Sequence, residues 1–167
     1  MAGLGVAVPD VPTWMAGHAK LVATYPTAFW RENGLNGDAI SHRGPLAEIH
    51  DASPVDAKVG ALFGFAQVGA ARQPGFRDAA IVQLARLFGQ DAAAPDDVFV
   101  KDWSVDPATA TKADLIPSSE HPNYIALPPT RSVIFAGTEM SSDNGGFLEG
   151  ALAAAEAAHA APEVGGY

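Results

Sequence analysis

Cysteine is absent from all 167 residues, which excludes disulfides, thiolate catalysis, cysteine-ligated zinc and iron–sulfur clusters. Charge is scarce as well. Asp, Glu, Lys and Arg make up 17% of the chain against 48% hydrophobic residues and 17 glycines. So little charge with so much Ala and Gly predicts that part of the surface is covered by another body. Basic residues are the scarcer kind, ten against nineteen acidic, for a net charge of −9. That balance argues against nucleic acid and against an anionic membrane surface as partners. No apolar run approaches the length of a membrane span. Met1 to Pro12 is apolar but lacks the basic start of a signal peptide, and Pro9 and Pro12 interrupt it. A cytoplasmic protein is the expectation.

The length suits one domain over 1–167. Residues 1–13 read as an irregular lead-in, 14–130 as a sheet-bearing part, 131–160 as a strand, turn and helix, and 161–167 as a tail. Ala19 to Tyr25 is a β-prone run, followed by a polar turn at Asn33-Gly34 and Asn36-Gly37. Ala39 to Arg43 and Leu46 to Asp51 predict short strands around Gly44-Pro45. Val59 to Val68 is nearly all apolar and predicts a central strand. From Phe76 the period changes. Phe76, Ala80, Leu84, Leu87 and Phe88 recur at helical spacing, with Arg77, Asp78, Gln83 and Arg86 opposite and Gly89 as the stop. Val98 to Trp103 returns to strand, Pro107 to Pro129 is a long loop, and Ser132 to Ala136 is a last strand. A small-residue helix is expected from about Gly145 to His159. The sum is an α+β fold, a mostly antiparallel meander with two main helices.

The segment Phe135 to Ala158, FAGTEMSSDNGGFLEGALAAAEAA, is the most informative. Glycines at the start of a helix let a planar ligand approach the backbone, and the helix N-terminus offers N–H groups with partial positive charge. From spacing alone the same segment also reads as a helix of small residues packed tightly on a sheet. His42, His50 and Asp51 fall on neighbouring predicted strands, and His18 and His121 stand apart. Solvated strand positions account for all of them, and no metal is expected. Ser118-Ser119-Glu120-His121 sits in a proline-rich loop without a nucleophile elbow.

The pattern of Phe135 to Ala158 resembles the C-terminal signature of the flavin amine oxidases, the monoamine oxidase family. Thr13 to Gly37, TWMAGHAKLVATYPTAFWRENGLNG, resembles that family's lysine-bearing strand and its Phe-Trp-Arg cluster, here Phe29-Trp30-Arg31. Asp102 to Pro107, DWSVDP, is similar to its acidic-Trp segment, and Ala61 to Arg72 fits the same order. The resemblance covers nearly all of residues 13–158. It implies a substrate-domain-like part over 14–130 and a flavin-contacting strand, turn and helix over 131–160.

By that resemblance, Lys20 holds a water against the flavin N5. Gly137, Thr138 and Glu139 contact the flavin's chain, and Gly146, Phe147 and Leu148 lie along its ring. Phe147 also lines the amine pocket, where most members carry tyrosine. Lys20's strand and the terminal helix are expected to converge on one cleft. The chain contains no Gly-x-Gly-x-x-Gly turn for a dinucleotide, no cysteine for a covalent flavin, and no second wall aromatic around Thr109 to Ala113. FAD is therefore expected to be noncovalent and to need a complementary chain, with none bound to the isolated chain. The reaction implied is oxidation of a small amine to an imine, with oxygen as the final acceptor. The alternative is a noncatalytic homologue that acts as a self-associating interaction domain, a homodimer.

Overall fold

The structure is a computed structural model and describes residues 15–56, 58–110 and 133–161. The chain forms two compact units, Met15–Pro117 and Met1–Trp14 with Ser118–Tyr167.

The first unit is built on strands β1 (Ala19–Tyr25), β2 (Ala39–Ile40), β3 (Leu46–Asp51), β4 (Gly60–Ala66) and β5 (Asp97–Asp102). Helix α1 is the single turn Phe29–Glu32, and α2 is Phe76–Phe88. Every strand pair is antiparallel, in the order β2-β3-β4-β1-β5. The expected α+β architecture is what forms, with β4 central as its apolar run predicts. It is not a simple meander, because β1 lies between β4 and β5. Strict alternation fixes the two faces of β1 and β4. Ala19, Leu21, Ala23, Tyr25, Leu62 and Ala66 point to one side and are buried, while Lys20, Val22, Phe63 and Phe65 are half-buried on the other.

Helix α2 covers the buried side with Phe76, Ala80, Leu84 and Phe88, the positions that its period predicts. Gln83 departs from the prediction. Its spacing assigns it to the polar face, yet it is 2% exposed. Its amide donates to the Leu46 carbonyl at 2.7 Å and accepts from the Leu46 N–H at 2.9 Å. A side-chain amide presents the same donor and acceptor as a peptide group, so it ties α2 to β3 where that strand shifts register between Leu46 and Glu48. Trp30 on α1 is fully buried and packs edge-to-face on Tyr25 and Phe29, with ring centroids 5.8 and 5.0 Å away. The Tyr25 hydroxyl donates to the Ala92 carbonyl at 3.2 Å. Burial pushes its pKa up to about 12.

Strand Ala39–Arg43 stops at Ile40. The Ser41 hydroxyl bonds its own chain at Arg43, and Gly44 turns at φ +106°, so local bonding replaces the ladder. Gly34 and Gly37 adopt the positive φ that their Asn-Gly pairs predict.

In the second unit, Val133–Ala136 is irregular and joins no sheet, which corrects the predicted last strand over its described part. Helix α3 is Leu148–Ala160, so the glycine-led start lies outside it. Most of the Pro107 to Pro129 loop, with Ser118 to His121, lies outside the described residues. Among the described residues, no helix is long and apolar enough to cross a membrane.

Candidate functional site

Lys20, the second residue of β1, stands on the half-open face of the sheet. Its register partners are Phe65 on β4 and Lys101 on β5. The ammonium lies 5.3 Å from the Phe65 ring centroid and 5.7 Å from that of Phe63. Those two rings meet edge-to-face at 4.7 Å. They present π faces to the cation, worth about 0.5–1 kcal/mol at a part-exposed site. Beyond them the His50 ring lies 6.4 Å from each, with Nδ1 3.2 Å from Asp38 and Nε2 3.6 Å from Glu48. The face thus carries a cation over an aromatic floor, with carboxylates toward β2 and β3. Lys20 is neither a solvated strand lysine nor a deeply buried one.

The Phe-Trp-Arg cluster has a structural task. The Trp30 indole N–H donates to Asp51 at 2.8 Å and the Arg31 Nε–H donates to the same oxygen at 2.7 Å, while the Ser53 N–H donates to the other oxygen at 2.8 Å. Burial alone would raise the Asp51 pKa, but these donors outweigh it and hold the carboxyl well below the usual range. Asp51 is therefore committed to α1 rather than to a metal. A lowered folded-state pKa contributes stability above the unfolded value, and that contribution is lost as pH falls through the folded one. Wild-type protein is expected to lose stability progressively below about pH 4. Asp51→Asn should be weaker at neutral pH with a flatter acid limb, read from urea midpoints across pH.

Thr138 organises the second unit's turn. Its hydroxyl accepts from the Gly146 N–H at 2.8 Å and donates to the Phe147 carbonyl at 2.9 Å. This bridges the Gly137-Thr138-Glu139 turn to the residues that lead into α3. Gly146 has φ +84°, a left-handed conformation that ends any regular helix there. The helix consequently begins at Leu148 with Phe147 as its N-cap, correcting the expected start near Gly145. A Cβ on Gly150 would lie 2.0 Å from the Asn144 carbonyl oxygen, so only glycine allows the turn to fold back on the helix. Phe147 is 53% exposed and Leu148 87%. The first N–H groups of α3, at Leu148 and Glu149, have no intrahelical acceptor.

Gly137, Thr138, Glu139, Gly146, Phe147 and Leu148 are thus brought together within one unit, and Lys20 belongs to the other. Phe63 and Phe65 were not singled out from the sequence. Their shared parity in Gly60–Ala66 is the signal that marks them as one face with Lys20.

The chain matches the family described as flavin containing amine oxidoreductase over residues 8–161. It is 30% identical over 146 residues to flavin-containing monoamine oxidase A of Dictyostelium discoideum, covering 80% of this chain and 31% of that protein. It is 28% identical over 151 residues to L-amino acid dehydrogenase of Synechocystis, covering 83% and 31%. Cyclohexylamine oxidase of Brevibacterium oxydans superposes with a TM-score of 0.66 at 26% identity, covering 86% of this chain and 34% of that one. A putrescine oxidase bound to putrescine shares the fold, with a TM-score of 0.69 at 19% identity over 85% and 34%. The chain spans about a third of the length of these relatives. Its match nonetheless runs through the lysine strand, the Trp30–Asp51 clamp and the glycine turn alike, and the chain belongs to the flavin-containing amine oxidoreductase family.

Proposed function

We propose that this chain is the substrate- and flavin-contacting part of an FAD-dependent amine oxidase, and that a complementary chain supplies the dinucleotide-binding half. The observation that carries the reading is the Lys20 ammonium, half-buried above Phe63 and Phe65. The donors present suit a flavin. The N–H groups of Leu148 and Glu149, which have no acceptor within the helix, match an electron-rich ring edge, and the turn at Gly137, Thr138 and Glu139 is held by the Thr138 hydroxyl. A bound flavin would supply the two-electron acceptor for amine oxidation to an imine.

This chain's residues do the rest. Lys20 donates to and fixes a water at the reacting face. Phe147 offers a flat wall to a small amine, and its lack of a hydroxyl makes that wall wholly apolar. Phe63 and Phe65 shed water around the ammonium, which strengthens its hydrogen bonds.

Purified chain incubated with FAD is expected to elute colourless once free FAD is removed by gel filtration, and to retain the yellow flavin only with the complementary half present. Half a site buries too little of the cofactor to hold it. In the reconstituted pair, Lys20→Met is expected to slow reoxidation by oxygen about 10²-fold, followed by stopped-flow absorbance. Unchanged reoxidation would reject the lysine's role.

A second reading has one observation in its favour. Phe147, Leu148 and Leu152 are 53%, 87% and 61% exposed, an apolar patch that suits a noncatalytic, self-associating module. A dimer in sedimentation that ignores both FAD and any dinucleotide-binding chain would favour it.

A further inference from the structure

The end of the β1–β5 seam holds two polar atoms without partners. His18 Nδ1 and Trp103 Nε1 are both buried and neither makes a hydrogen bond. They are neighbours by construction. Ala19 pairs with Asp102, and the Trp103 N–H donates to the His18 carbonyl at 3.2 Å. His18 therefore faces Trp103 across the ladder, with Cβ atoms roughly 5.5 Å apart. Local structure fixes both residues. The His18 backbone N–H donates to the carbonyl of Met15, a residue at φ 67°, at 3.1 Å. Trp103 opens a 3-10 turn capped by Asp102, and Lys101 lies over its ring at 4.9 Å.

Buried polar atoms in native proteins are nearly always paired, with protein or with ordered water. An indole N–H can only donate, whereas imidazole Nδ1 can accept or donate. A group that serves both must accept from the indole and, depending on the imidazole tautomer, accept from or donate to Nδ1, which water does in either case. The charged groups around the seam are already matched. Lys101 meets Asp106 at 2.7 Å, Arg72 meets Asp102 at 4.0 Å, and Lys20 rests over the phenylalanine rings. With no unmatched charge at hand among the described residues, a neutral water is the simplest group that meets both nitrogens.

We propose that His18 and Trp103 form a binding site for one structural water. Its oxygen accepts from the Trp103 indole N–H and hydrogen-bonds His18 Nδ1. The water fastens β5 to β1 two residues from Lys20, on the same face, and so fixes the strand register that aligns Lys20 with Lys101. His18 and Trp103 are positioning residues in this arrangement.

A double-mutant cycle on the full chain tests the site, with His18→Phe, Trp103→Phe and the pair compared by chemical unfolding. A shared water makes each single change lower the folded-to-unfolded ratio about fivefold, because it strands the other nitrogen, and the double change costs little more than either alone. Atoms with no occupant give the opposite result: each single replacement leaves the ratio unchanged or raises it. Additive losses would equally overturn the proposal. Should a variant fail to fold, a crystal structure of the unaltered chain decides. One ordered oxygen within hydrogen-bond reach of both nitrogens supports the site. A dry gap, a direct His18–Trp103 hydrogen bond or an ion in that place overturns it.

Discussion

Trp30→Ala is expected to destabilise the first unit by about 3–5 kcal/mol, the range for truncating a fully buried large aromatic side chain. Two losses combine. The indole vacates a volume enclosed by Tyr25, Phe29 and Phe88, and Asp51 loses one of its donors. Trp30→Phe separates them. It keeps most of the packing and removes only the indole N–H, while Arg31 and Ser53 continue to satisfy the carboxylate. That variant should cost about 1–3 kcal/mol. Urea unfolding followed by far-ultraviolet circular dichroism gives both values. Equal losses in the two variants would mean that the hydrogen bond, not the packing, dominates at this position.

Gln83→Leu should be comparably severe even though leucine is nearly the same size and helix propensity slightly favours it. The substitution strips partners from two buried backbone groups at once, the N–H and carbonyl of Leu46. Each unsatisfied group costs about 1–3 kcal/mol, so a total of about 2–6 kcal/mol is expected from the denaturant midpoint. Gln83→Glu provides the control. It preserves shape and the acceptor but forfeits the donor, and places a charge where water cannot reach. A Gln83→Leu variant as stable as the parent would show that Leu46 finds other partners.

Gln83 also shows where sequence reasoning stops. Helical period correctly located α2 between Phe76 and Phe88, because an amphipathic helix must turn its apolar stripe to the sheet. Period says nothing about a polar residue whose partner is a backbone shift in a distant strand. The same limit applies to α1, whose four residues are too few to carry a period. Strands β1 and β3 were legible with their bounds, since alternation and turn residues agree there. The predicted strand at Ala39 to Arg43 shrank because a Ser hydroxyl competes with the ladder, and such competition depends on where the hydroxyl points.

For the site, chemistry and position separated. Gly137, Thr138, Glu139, Gly146, Phe147 and Leu148 were singled out by resemblance, since their glycine spacing alone fits a tightly packed helix equally well, and the helix start moved three residues because one glycine took a left-handed φ. Lys20 was legible only by resemblance. The aromatic floor that distinguishes it from an ordinary surface lysine, Phe63 and Phe65, comes from a neighbouring strand far along the chain.

Strand order carries a consequence for how the molecule is made. During translation β1 leaves the ribosome first, yet its two flanking partners, β4 and β5, emerge later. Until then, both of its backbone edges are open to mispairing with other nascent chains. Closing the sheet around a strand that waits so long raises the contact order and slows folding. The interval between synthesis and closure is where a chaperone would have the most to protect.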